Sequence, residues 1–118
     1  MKLDAVNGII FSIGRKNYFE LNLSTQIASL SDHFEQTKEF GVETTKLGGW
    51  EGDLIYFWEG SINNKFGVFS RSSRSIIYVQ AVKEAEGILI DVKYGQNKLY
   101  IHDRNACLHI FDTREEIL

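Results

Sequence analysis

The chain has 118 residues, of which 43% are hydrophobic and 25% charged, with a net charge of −3. That is the length of one domain, enough to bury roughly 65–70% of the surface of the unfolded chain without covalent staples. A lone cysteine, Cys107, excludes an internal disulfide, and a pI of about 5.6 disfavours a partner held by its phosphates.

The first thirty residues alternate with the period of strands. In NGIIFSIG, residues Ile9, Phe11 and Ile13 share a face. A turn at Gly14–Asn17 leads into NYFELNL, where Phe19, Leu21 and Leu23 share a face and Glu20 and Asn22 point away. TQIASL is a third short strand. The next stretch, SDHFEQTKEF at 31–40, loses the alternation. Asp32 and Glu35 have the spacing of a capping box, which predicts a helix of two to three turns anchored by Phe34. Residues 31–52 together read as one long connection, with Trp50 in an acidic loop bounded by Gly48, Gly49 and Gly52. Connections of that length in a compact domain are usually functional or mobile.

In DLIYFWEG, residues Leu54, Tyr56 and Trp58 lie on one face and Ile55 and Phe57 on the other. Both faces are apolar, so both must be covered, one by the sheet core and one by the 31–50 segment. NNKFGVFS and RSIIYVQAV complete this unit, with Arg71 and Arg74 between them as solvated turn residues expected to partner the acidic segment across the sheet. The last third repeats the design. Ile88, Ile90 and Val92 share a face, Leu99 and Ile101 face in with Tyr100 and His102 out, and Leu108 and Ile110 join that interior.

Three strand–turn–strand units spaced by about 35 to 45 residues have the rhythm of propeller blades. A closed propeller usually needs four or more blades. The expected fold is therefore a single all-β domain over residues 1–118, with one short helix near 31–40. Its strands would form an antiparallel meander, as a β-sandwich or a partly closed barrel, with blade-like units as the second choice. The opening stretch, MKLDAVNGIIFSIG, is interrupted by Ser12 and Gly14 and does not read as a secretory signal. No run approaches the ~20 apolar residues that cross a bilayer. The expected location is the cytoplasm, with no membrane contact.

Candidate chemistry is sparse. His102, Cys107 and His109 have zinc-ligand types, but zinc takes three or four protein ligands and this spacing matches no such motif. A Cys–His nucleophile needs an exposed, electropositive turn, and a mid-strand cysteine lacks one. Glu51 and Asp53 are close enough for acid–base work, yet read better as a solvated acidic loop. KFGVFSRSSRS interleaves aromatics with bases, as single-strand binders do, against an acidic chain overall. No catalytic residue, metal or cofactor is expected, and no nucleic acid.

The strongest signal is charge layout. Residues 32–59 hold seven acids (Asp32, Glu35, Glu39, Glu43, Glu51, Asp53 and Glu59) against Lys38 and Lys46, a net −5. Residues 60–83 hold Lys65, Arg71, Arg74 and Lys83 and no acid. An acidic surface with an aromatic anchor suits a basic protein partner. The residues expected to bind it are Glu35, Glu39, Glu43, Trp50, Glu51 and Asp53. Trp50 would supply apolar area, and the carboxylates would pair with lysine or arginine.

In size, single cysteine, all-β patterning and the acidic block from Asp32 to Glu59, the chain resembles the small bacterial immunity proteins that neutralise toxins, including those of contact-dependent growth inhibition systems. The resemblance implies a tight one-to-one complex with a cognate toxin, often a nuclease, whose active site is covered. The basic block around Arg71 and Arg74 departs from a uniformly acidic inhibitor. Two other classes fit the same pattern: a small barrel holding a ligand at a mouth formed by His33, Tyr100 and His102, and a homo-oligomeric structural module.

Overall fold

The computed structural model describes residues 1–59, 64–82 and 89–114; Lys83 and Ile88 lie outside them. β1 (Lys2–Asp4), β2 (Ile9–Ile13), β3 (Asn17–Asn22) and β4 (Ala28–Asp32) form a first antiparallel sheet in chain order. A helix, α1 (Phe34–Phe40), follows. β5 (Lys46–Glu51), β6 (Leu54–Glu59), β7 (Lys65–Ser70) and β8 (Ser75–Ala81) form a second sheet, and β9 (Leu89–Gly95), β10 (Lys98–Asp103) and β11 (Leu108–Asp112) a third. The fold is an all-β antiparallel meander with one short helix.

The sheets do not close into a barrel, nor do they make a two-layer sandwich; they pack as three layers. The cause is the middle sheet, which is apolar on both faces. Ile55, Phe57 and Phe69 meet Phe11 and Tyr18 of the first sheet. Tyr56, Trp58, Phe66 and Val68 meet Leu89, Val92, Leu99 and Ile101 of the third. Each such buried side chain contributes about 1.5–3 kcal/mol, so a sheet of this composition is stable only between two others. The second cover is thus the third sheet rather than the 31–50 segment.

The long connection expected over 31–52 is instead helix α1, a short link and strand β5. Its glycines hid that strand, and they have a packing role. A Cβ on Gly48 would lie 2.8 Å from the backbone oxygen of Val92, and one on Gly49 would lie 3.0 Å from Tyr94 Cβ. They let β9 of the third sheet approach β5 closely, at a register shift between Leu47 and Gly49. Trp50 is therefore a strand residue, half-buried, with its ring 5.0 Å from Phe11 in an edge-to-face contact.

α1 begins one residue later than a capping box at Asp32 and Glu35 would place it. The Phe34 N–H donates to Asp32 Oδ1 at 2.7 Å, and the N-cap, His33, makes no side-chain cap bond. Phe34 is not the anchor: it sits under the ammonium groups of Lys16 and Lys38. Docking comes from buried Thr37, from Phe40 and from Gln36, whose carboxamide bonds both the N–H (2.7 Å) and the C=O (3.2 Å) of Ile76 in β8.

Two strand faces are reversed from the expected ones. Directly opposed antiparallel residues share a face. Phe11 pairs with Glu20 and Ile13 with Tyr18, so Tyr18 and Glu20 turn inward while Phe19 and Leu21 turn out. In the third sheet His109 pairs with Ile101 and Phe111 with Leu99, which leaves Leu108 and Ile110 exposed. Ile90 is exposed too, beside a register shift between His102 and Asp103.

Candidate functional site

The densest polar cluster lies between the first two sheets. Arg71, at the end of β7, is 6% exposed. Its guanidinium donates to Asp4 Oδ2 at 2.9 Å, to the Gly52 carbonyl at 2.9 Å and to the Tyr18 hydroxyl at 3.1 Å. Tyr18 in turn donates to Glu20, which also faces Arg74 at 3.4 Å. The guanidinium lies over the Phe11 ring at 4.2 Å and near Trp50 at 5.5 Å. Bonds from the Asn7 amide, then from Arg71, hold the Asp4 carboxyl below its ordinary pKa. Burial works against the charge on Arg71, but its bonds to Tyr18 and Asp4 outweigh that and raise its pKa. Burial, then the bond to Glu20, pushes the Tyr18 phenol up.

Arg71 is thus a buried structural cation, not a solvated turn residue, and the acids that Arg71 and Arg74 pair with are Asp4 and Glu20 of the first sheet rather than those of the acidic 32–59 segment. Beside it is an open cleft of about 350 Å³ lined by Glu20, Asp53, Arg71, Ser72 and Arg74, in which both arginines already face Glu20.

The six residues expected to bind a partner fall in different places. Asp53, exposed at the β5–β6 turn, accepts hydrogen bonds from the Ser70 hydroxyl (2.7 Å), the Ser72 N–H (2.6 Å) and the Ser72 hydroxyl (3.0 Å). It ties that turn to the β7–β8 turn. Glu51 accepts a hydrogen bond from the Tyr94 hydroxyl of the third sheet. Trp50 packs on Phe11, as described.

Glu35, Glu39 and Glu43 remain on the outside, along α1 and the segment after it. Glu35 has a long contact with Lys38 at 4.0 Å, and Glu43 one with Arg15 at 3.6 Å. Glu39 is exposed and makes no hydrogen bond or ion pair among the described residues. Glu43 lines a second open cleft, about 490 Å³ in volume, with Arg15, Phe34, Lys38 and Glu59.

The histidines do not converge. His33 is 3% exposed, with Nε2 3.1 Å from the Gly14 carbonyl and 3.0 Å from Thr44 Oγ1. Its Nδ1 is buried without a partner, and burial lowers its pKa. His102 and Tyr100 stand on the outer face of the third sheet. His109 turns inward to Asp103 at 2.9 Å, away from exposed Cys107. Among the described residues no group of three or more His, Cys, Asp or Glu side chains has the arrangement of a metal site. No described helix is long and apolar enough to cross a membrane.

The Arg71 network went unread in the sequence because its partners are scattered over residues 4 to 71. The one available signal was the lack of any acid near Arg71 and Arg74, which required their counter-ions to come from elsewhere. No protein-family model matches the chain, and no curated protein matches it.

Proposed function

We propose that this chain is a non-catalytic protein-binding inhibitor, an immunity protein that neutralises a basic toxin by covering its active site. The acidic block and the general likeness to such proteins support this, and the exposed acids on and after α1 are the residues we assign to the contact. The observation that carries the reading is the pair Glu35 and Glu39, one helical turn apart on α1 and both exposed. Like charges at this spacing cost an isolated helix about 0.2–0.5 kcal/mol. A lysine or arginine from a partner removes that cost and gains two ion pairs, and Glu43 extends the acidic edge along the neighbouring cleft. Glu51 and Asp53 have internal partners, so their part in the contact is secondary.

The test is co-expression with the protein encoded beside this chain, followed by affinity capture. A stable one-to-one complex is expected. The double variant Glu35→Lys, Glu39→Lys should bind at least about tenfold more weakly with an unchanged urea midpoint. Full affinity in that variant would remove α1 from the interface. A ligand-holding barrel is not favoured, because the described strands form three separate sheets that do not close into a barrel.

A further inference from the structure

We propose that two copies of this chain stack end to end and close into a ring of six sheets. In it, the outer face of each copy's first sheet covers the outer face of the other copy's third sheet.

The starting point is an imbalance in the three-layer stack. The middle sheet is covered on both sides, while among the described residues the first and third sheets each leave a face bare. On the first sheet the bare face carries Leu3, Ile10 and Leu21 in one row and Phe19 and Leu30 in the next. Leu3 is 56% exposed and Leu30 66%. The one charged residue on that face within the four strands is Asp32, at the end of β4, where it accepts a hydrogen bond from the Phe34 N–H; Lys2, Asp4 and Glu20 all share the opposite face with Phe11 or Ile9. A sheet that turns its ion pairs inward and its leucines outward is built to be covered.

The bare face of the third sheet carries Tyr100, Leu108 and Ile110, all exposed. Its charges already pair with each other, Lys93 with Asp91 at 3.9 Å and Lys98 with Asp112 at 3.5 Å. Covering it leaves each of these four charges, among the described residues, with a partner.

A second copy satisfies both ends at once. Each chain offers one face of each kind, so two chains pair all four bare faces through two identical head-to-tail interfaces. Head-to-tail contacts make rings when the rotation closes. Rings of stacked sheets, usually of four strands each, close at about four to eight sheets, a range that includes six and excludes three; here the first and second sheets have four strands and the third has three among the described residues. Area points the same way. From strand spacing and rise, the first sheet's face covers roughly 300 Å² in plan and the third's somewhat less. One interface would bury only about 500–600 Å² in total, and two about 1,000–1,200 Å², the threshold of a specific association. A pair joined through a single face falls short of it.

Sedimentation of the intact chain tests this. The expected species at about 100 µM is twice the 13.5 kDa chain mass. Leu30→Lys on the first sheet and Ile110→Glu on the third should each raise the dimer Kd at least about tenfold, with unchanged far-UV circular dichroism. Mixing the two variants should restore a dimer, since the mixture has one native interface and one where lysine meets glutamate. Leu3→Lys reports on the same face if Leu30→Lys does not fold. A monomer throughout overturns the proposal, and so does growth to longer polymers. A dimer sensitive to Leu30→Lys but not to Ile110→Glu also overturns it, because that behaviour belongs to first sheets pairing with each other.

Discussion

Arg71 and Asp4 form a buried ion pair at 2.9 Å between residues 67 apart in the chain, and this pair fastens the first sheet to the second. Both groups are almost free of solvent, and each has further hydrogen bonds, from Asn7 to Asp4 and from Arg71 to Tyr18 and Gly52. Removing one member of such a pair leaves the other buried and uncompensated. Arg71→Ala should therefore destabilise the fold by about 3–5 kcal/mol, read from urea unfolding. A loss under about 1 kcal/mol would mean that water reaches the site.

Acidification should weaken the fold in two stages. Burial lowers the His33 pKa below 6.5, so the unfolded chain binds its proton first. The stability linked to neutral His33 is complete above pH 6.5 and is lost as pH falls below it. The Asp4 carboxyl is also depressed, from 3.8, so its contribution is lost only on further descent below that value. Thermal unfolding across pH 8 to 3 checks this, and His33→Gln should abolish the first stage while keeping the second.

Gly48→Ala should cost about 1–3 kcal/mol, because the new methyl meets a backbone oxygen that cannot rotate away. The same substitution at Gly52, where a Cβ would meet nothing within 4 Å, tests only the turn conformation (φ +56°). If both variants lose equal stability, close approach of β9 to β5 is not the reason for glycine at 48.

Asp53→Lys should unfasten two turns, since three donors from Ser70 and Ser72 converge on that carboxylate. A loss of about 1–3 kcal/mol is expected, with faster amide exchange at Ser72. Glu39→Lys, at a residue with no such bonds, should leave stability within about 0.5 kcal/mol. Equal effects at both positions would mean that Asp53 is no more structural than Glu39.

The all-β class, the meander and the helix after the first strands were legible from alternation alone, because period two and its loss at SDHFEQTKEF are local properties. So was the double burial of β6, since a strand with Ile55 and Phe57 on one side and Tyr56 and Trp58 on the other has no wet face. Strand β5 was not legible, because Gly48 and Gly49 answer to a neighbour more than forty residues away. Nor were the acids sorted: Glu39, Glu51 and Asp53 are equivalent as letters, and only the arrival of Tyr94, Ser70 and Ser72 divides them.

The inward turn of Glu20 and Tyr18 has the same origin. Period two says that Phe19 and Tyr18 face opposite ways, but pairing with β2 and the presence of Arg71 decide which of them goes inside. Residue order thus settles the kind of layers this chain makes, because alternation is written in adjacent side chains. Which charges meet, and which apolar face is left open, depends on how distant strands register and stack, and no local pattern encodes that.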